Sequence, residues 1–131
     1  MKEFKVWCRG TSDNLNFNKP CWWNLGSYML NKYYDIPSIL AGNIDEDFNR
    51  NFDLVQFTGF YDKNEVKIFE GDIIKITQHY YDCEDVDTYN TEVIFYENHS
   101  CFGYTSKEGH FNMLIGQGLE IEVIGNKFEN K

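Results

Sequence analysis

The stretch Val66-Lys67-Ile68-Phe69-Glu70-Gly71-Asp72-Ile73-Ile74-Lys75-Ile76-Thr77 decides how this sequence is read. Two short runs of β-branched and aromatic residues flank Glu70-Gly71-Asp72, and such runs favour strands. A glycine at the corner permits positive φ, and an aspartate beside it accepts hydrogen bonds from turn N–H groups. Ile74 and Ile76 alternate with Ile73 and Lys75, so the second strand buries one face fully and the other in part. That is the pattern of a sheet that curls.

Further strand signals lie on both sides. Residues 52–57 are mostly apolar, Thr58-Gly59 breaks the run, and Asp62-Lys63-Asn64-Glu65 is a turn. Residues 91–96, 102–105, 111–115 and 119–124 read as short strands, with Gly116-Gln117-Gly118 as a hairpin turn. Residues 78–90 are polar and acidic with three tyrosines, a loop by composition. Nothing between the strands supplies the helical crossovers of a parallel sheet. The expected fold is mainly β: a small curled antiparallel sheet or an SH3-like barrel, with an irregular N-terminal section containing at most a short helix. Phe4-Lys5-Val6-Trp7 gives a strand signal, Pro37 opens a possible helical turn over 37–41, and Gly42-Asn43 would end it. With 131 residues, one domain over 1–131 is expected, irregular over 10–50 and with its β core at 52–126.

Composition narrows the function. Aromatics at 18% and apolar residues at 42% are enough for a packed core, which excludes wholesale disorder. The net charge of −9 argues against a protein that holds duplex DNA through its phosphates. Residues 1–50 carry six basic and six acidic side chains, whereas residues 51–131 carry six against fifteen, so the whole acidic excess lies in the second part. The N-terminal residues alternate charges where an export signal is apolar. The longest apolar run, Val93-Ile94-Phe95-Tyr96, falls far short of the roughly 20 residues that span a membrane. A cytoplasmic protein without membrane contact is expected. Its four cysteines, Cys8, Cys21, Cys83 and Cys101, are then expected as free thiols. None forms a Cys-x-x-Cys pair, and His99-Ser100-Cys101 has no matching second pair, so no metal site is expected.

Val55-Gln56-Phe57-Thr58-Gly59-Phe60-Tyr61-Asp62-Lys63-Asn64, running into Ile68-Phe69-Glu70-Gly71-Asp72-Ile73-Ile74, resembles the signature of the YopX-like proteins of bacteriophages and prophages. Phe4-Lys5-Val6-Trp7 is similar to that family's opening, and residues 122–130 to its ending. Cys8 departs from the acidic residue usual after the tryptophan, and Glu65 from the usual glycine of the turn. Asn64 tolerates the left-handed conformation and is expected to take it instead. The resemblance implies a small β-rich, phage-associated protein acting inside a host cell, and carries over no catalytic set. Gly59, Gly71, Gly125 and Asn126 then read as turn positions, Asp62 and Asp72 as turn caps, and Trp7 and Phe69 as core.

The remaining chemistry is sparse. Asp45-Glu46-Asp47 and Glu84-Asp85-Val86-Asp87 lack the oxygen pattern of a calcium loop. Cys83 or Cys101 beside His79, His99 or His110 would be needed for a nucleophilic site, and spacing alone does not assemble one. Trp22, Trp23, Tyr33, Tyr34, Tyr80 and Tyr81 could stack bases of a single strand, but few basic residues are left to line a groove. The 79–89 stretch mixes tyrosines with carboxylates, and tyrosine favours interfaces. Tyr80, Tyr81, Glu84, Asp85, Asp87 and Tyr89 are therefore the candidate partner-binding residues. The expectation is a non-enzymatic accessory protein, without cofactor, that binds itself or a host protein. Single-stranded nucleic-acid binding is the alternative, and an enzyme of unknown type ranks third.

Overall fold

The computed structural model describes residues 3–80, 84, 86–116 and 118–129. The chain is mainly β, its paired strands antiparallel, with a few short helices. It divides into two compact units, residues 1–56 and 57–131.

In the first unit, strand β1 (Phe4–Cys8) runs between β2 (Cys21–Asn24) and the opening residues of β3 (Phe52–Tyr61). Alternation sends Val6 and Cys8 to one face, where both are fully buried, and Trp7 to the other, where its ring meets Trp22 at 5.0 Å. Phe17 is the hub of the inner face. Its ring meets Trp23 at 5.3 Å and Phe52 at 5.2 Å, both edge-on, the favoured arrangement for aromatic pairs.

Three short helices cover this core: α1 (Tyr28–Tyr33), α2 (Ile36–Leu40) and α3 (Glu46–Asn51). The turn expected at Pro37 is α2, capped by Asp35, whose side chain accepts from the Ser38 N–H. The acidic run 45–47 starts α3. Asp45 accepts hydrogen bonds from the N–H groups of Asp47 and Phe48, at 3.0 and 3.1 Å, and the negative first turn suits the helix dipole.

The second unit opens with the closing residues of β3, which pair with β4 (Lys67–Phe69) in a hairpin. Strand β5 (Asp72–His79) lies between β6 (Val86–Glu92) and β10 (Leu119–Asn126). Strands β7 (Ile94–Tyr96), β8 (Cys101–Thr105) and β9 (Phe111–Met113) form a second small sheet. Ile68, Ile74, Ile76, Val93, Tyr104, Leu114 and Ile121 are the buried core. Fully burying an isoleucine contributes about 1.5–3 kcal/mol, so the alternating isoleucines of β5 are a main source of cohesion. Of the two expected forms the chain takes the open one: small antiparallel sheets, with no closed barrel among the described residues. Strands β7 and β9, three residues each, are too short to wrap far.

Gly59, Gly125 and Asn126, read as turn positions, lie instead within β3 and β10. Gly59 takes φ 90° without ending its strand, and Gly125 follows a register shift. The Gly71 and Asp62 corners follow the sequence reading but for one residue. Gly71 has φ 89°, and the Asp72 carboxylate accepts from the Phe69 N–H at 2.8 Å. Asp62 is buried, and its carboxylate accepts from Asn64 N–H at 2.8 Å and Val66 N–H at 2.9 Å. The left-handed residue of that turn is Glu65, at φ 64°, and not Asn64. Asn64 instead donates its N–H to the Asp62 cap, which leaves the tight bend to the next residue.

Candidate functional site

The tyrosine-rich stretch is not one long loop. Strand β5 continues to His79, and β6 begins at Val86, each residue of β6 pairing in register with β5 from His79↔Val86 to Ile73↔Glu92. Asp87, Tyr89 and Thr91 therefore share one face of β6. That face looks toward β8: the Thr91 hydroxyl donates to the Thr105 carbonyl at 3.3 Å, and Tyr89 is a close neighbour of Tyr104.

A cleft of about 440 Å³ opens here, lined by Gln78, Tyr80, Asp87 and Tyr89 on one side. Tyr104, Asn112 and the hairpin turn bearing Ser106, Lys107, Glu108 and His110 form the other. The turn is held by backbone bonds from Ser106 N–H to His110 carbonyl (2.8 Å) and Gly109 N–H to Ser106 carbonyl (2.9 Å). At the mouth, the Tyr80 hydroxyl donates to Asp87 at 2.5 Å. Lys107 Nζ lies 3.8 Å from the other Asp87 oxygen and 5.4 Å from the centre of the Tyr89 ring. A tethered ammonium thus already sits between a carboxylate and an aromatic face, the two groups that attract cations.

The cleft has a dry floor and a wet rim. Tyr104 is only 4% exposed and Tyr80 is 46% exposed. Burial, with Tyr89 close by, pushes the Tyr104 hydroxyl up to about 12. At neutral pH it is a proton donor. Tyr80 is shifted up by its hydrogen bond to Asp87, and Glu108 adds negative potential at both Tyr80 and Tyr89. The tyrosines supply no negative charge of their own, so Asp87 and Glu108 set the sign of the cleft.

Of the six candidate residues, Tyr80, Asp87 and Tyr89 meet in this cleft. Glu84 is exposed and does not line it. Tyr81 and Asp85 lie outside the described residues, as does Cys83. The sequence reading missed Tyr104, Lys107 and Glu108 and weighed His110 only beside a cysteine; all four reach the cleft through the pairing of β8 with β9. Their one visible signal was Ser-Lys-Glu-Gly-His over 106–110, a polar hairpin turn between two strands.

Other candidates resolve differently. Trp23 and Tyr34 pack against Phe17, and Trp22 against Trp7, so these rings belong to the first unit's packing. His79 Nε2 sits 3.4 Å from Glu120, and His99 lies in a 3₁₀ turn with its ring stacked on Tyr96 at 5.1 Å. His99 and Cys101 are consequently not alternate residues of one strand.

Open sheets, capped corners and a charged, tyrosine-lined cleft define a small, mainly β protein. The chain belongs to the YopX protein family, whose model matches residues 4–131. No curated protein matches it significantly. The family match includes residues 10–50, the section expected to be irregular. No helix among the described residues is long and apolar enough to cross a membrane.

Proposed function

We propose that this protein is a non-enzymatic phage or prophage accessory protein that works in the host cytoplasm by binding another protein, and that the β6–β8 cleft is its contact site. One observation carries the reading: Asp87 holds Lys107 beside the Tyr89 ring. A lysine or arginine from a partner fits the same pair of groups, with Lys107 moving aside. Exposed ion pairs are worth at most about 1 kcal/mol, so this displacement costs little. The net charge of −9, concentrated beyond residue 50, would steer a basic partner toward this part of the chain.

The partner class that fits is a basic protein segment. Nucleic acid is disfavoured by Asp87 and Glu108, which repel phosphates. The test is capture from bacterial lysate on the immobilised full chain, with and without nuclease, at rising salt. The reading expects one or more basic proteins to be retained after nuclease treatment. Loss of everything bound after nuclease would transfer the function to nucleic acid. Retention of further copies of this chain alone would make self-association the function.

A further inference from the structure

Cys8 closes β1 and Cys21 opens β2, and the two stand directly opposite each other in the antiparallel pairing. Residues so placed have Cα atoms about 4.5–5.5 Å apart. A disulfide needs about 4.4–6.8 Å, so the backbone is already at bonding distance. Opposite residues also project to the same face, and Cys21 packs against the buried cluster that contains Cys8. Both are free thiols, Cys8 fully buried and Cys21 half-buried. The Cys8 thiol donates to the Phe17 carbonyl at 3.3 Å, which places Phe17 inside the loop that a bond would close.

We infer that Cys8 and Cys21 form a reversible disulfide site, closed by exchange with a low-molecular-weight disulfide such as oxidised glutathione. Cys21 is the reachable sulfur. As thiolate it attacks the small disulfide, forming a mixed disulfide and releasing one small thiol, which takes up the proton Cys21 lost. Cys8 then loses its proton and attacks the Cys21 sulfur, forming the Cys8–Cys21 bond and releasing the second small thiol, which takes up that proton. Two cysteine thiols are oxidised by two electrons, and one small disulfide is reduced to two thiols. Burial raises the Cys8 thiol above its usual range, so this second step quickens as pH rises. The closed bond fixes β2 against β1 and tethers the segment that carries Phe17, the hub of the first unit's core.

The experiment treats the reduced full chain with oxidised glutathione, then reads intact mass and maps disulfides by peptide mass spectrometry. The expected product has lost two hydrogens and has Cys8 joined to Cys21. In the Cys21→Ser variant Cys8 stays a thiol, and in Cys8→Ser the glutathione adduct remains on Cys21. A persistent glutathione adduct on Cys21 of the native chain would overturn the inference. So would Cys8 joined to Cys83 or Cys101. Mapping of the native chain decides the matter even where a variant fails to fold.

Discussion

Val123 and Asp62, 61 residues apart in the chain, are joined by a hydrogen bond of 2.9 Å from the Val123 N–H to Asp62 Oδ2. The other Asp62 oxygen takes the N–H groups of Asn64 and Val66, so one carboxylate both shapes the turn after β3 and fastens it to β10. The Lys63 N–H adds a second tie to β10, at the Ile121 carbonyl, 2.9 Å away.

This arrangement gives the protein an acid-sensitive joint. Burial alone would raise Asp62, but the N–H groups of Val123, Val66 and Asn64 outweigh it and hold the carboxyl below its ordinary 3.8. A lowered pKa in the fold contributes stability that is present above 3.8 and lost as pH falls through the native value. Asp62→Asn removes that dependence and presents an N–H donor where an acceptor is needed. Urea unfolding at neutral pH should show a loss of about 2–3 kcal/mol, since hydrogen bonds to a charged group are strong. As pH falls below 3.8 and through the native value, the difference from the native chain should shrink.

Three residues after Asp62, Glu65 occupies the left-handed region at φ 64°. A side chain there costs about 1–2 kcal/mol, part of which glycine gives back through its greater freedom when unfolded. Glu65→Gly should therefore stabilise the chain by about 0.5–1 kcal/mol, read as a higher urea midpoint with unchanged slope. An unchanged or lower midpoint would show that the turn is not strained.

Gly71 presents the opposite case. Its φ is 89°, and a Cβ placed there would come within 2.7 Å of the Phe128 ring. The backbone term alone costs about 1–3 kcal/mol, and the ring must also move. Gly71→Val should lower the thermal midpoint by more than Gly71→Ala, because only valine's branches press further into Phe128. Equal midpoints for both would remove the role of the ring.

Tyr104 makes the protein sensitive to alkali as well. Its hydroxyl is raised from 10.0 to about 12 by burial and by Tyr89. The unfolded chain ionises first, so this contribution to stability is full below pH 10 and is lost between 10 and 12. Ultraviolet titration should find late-ionising tyrosines, Tyr34 being raised further still by burial and Asp47, and Tyr104→Phe should remove the step near 12 while leaving that of Tyr34.

The strands around Gly71 were legible because burial imprints a two-residue period on β5, with Ile74 and Ile76 inward. Strand β6 was not. Its sequence, Val-Asp-Thr-Tyr-Asn-Thr-Glu, is polar on both faces, and it is a strand through pairing with β5 rather than through a buried stripe. Helices α1 and α3 have six residues each, too few to show a helical period, although Asp45 ahead of Glu46-Asp47 was a usable start signal. Tyr80, Asp87 and Tyr89, picked out by tyrosine and carboxylate content, line the cleft. Tyr104 and Lys107 were out of reach, because only the fold of β8 and β9 carries them to Asp87 and Tyr89. The facing of Cys8 and Cys21 was hidden for the same reason: register across a long connection leaves no mark on spacing.

The most direct measurement of the cleft's role compares protein capture by three forms of the full chain after nuclease treatment. One is native, one is Asp87→Asn with Glu108→Gln in the cleft, and one is Glu97→Gln with Glu122→Gln outside it. Both variants change the net charge equally, and thermal unfolding of each checks that the fold is kept. The account predicts that the basic partner is retained by the native chain and the outside variant and lost by the cleft variant. Equal capture by all three would contradict it.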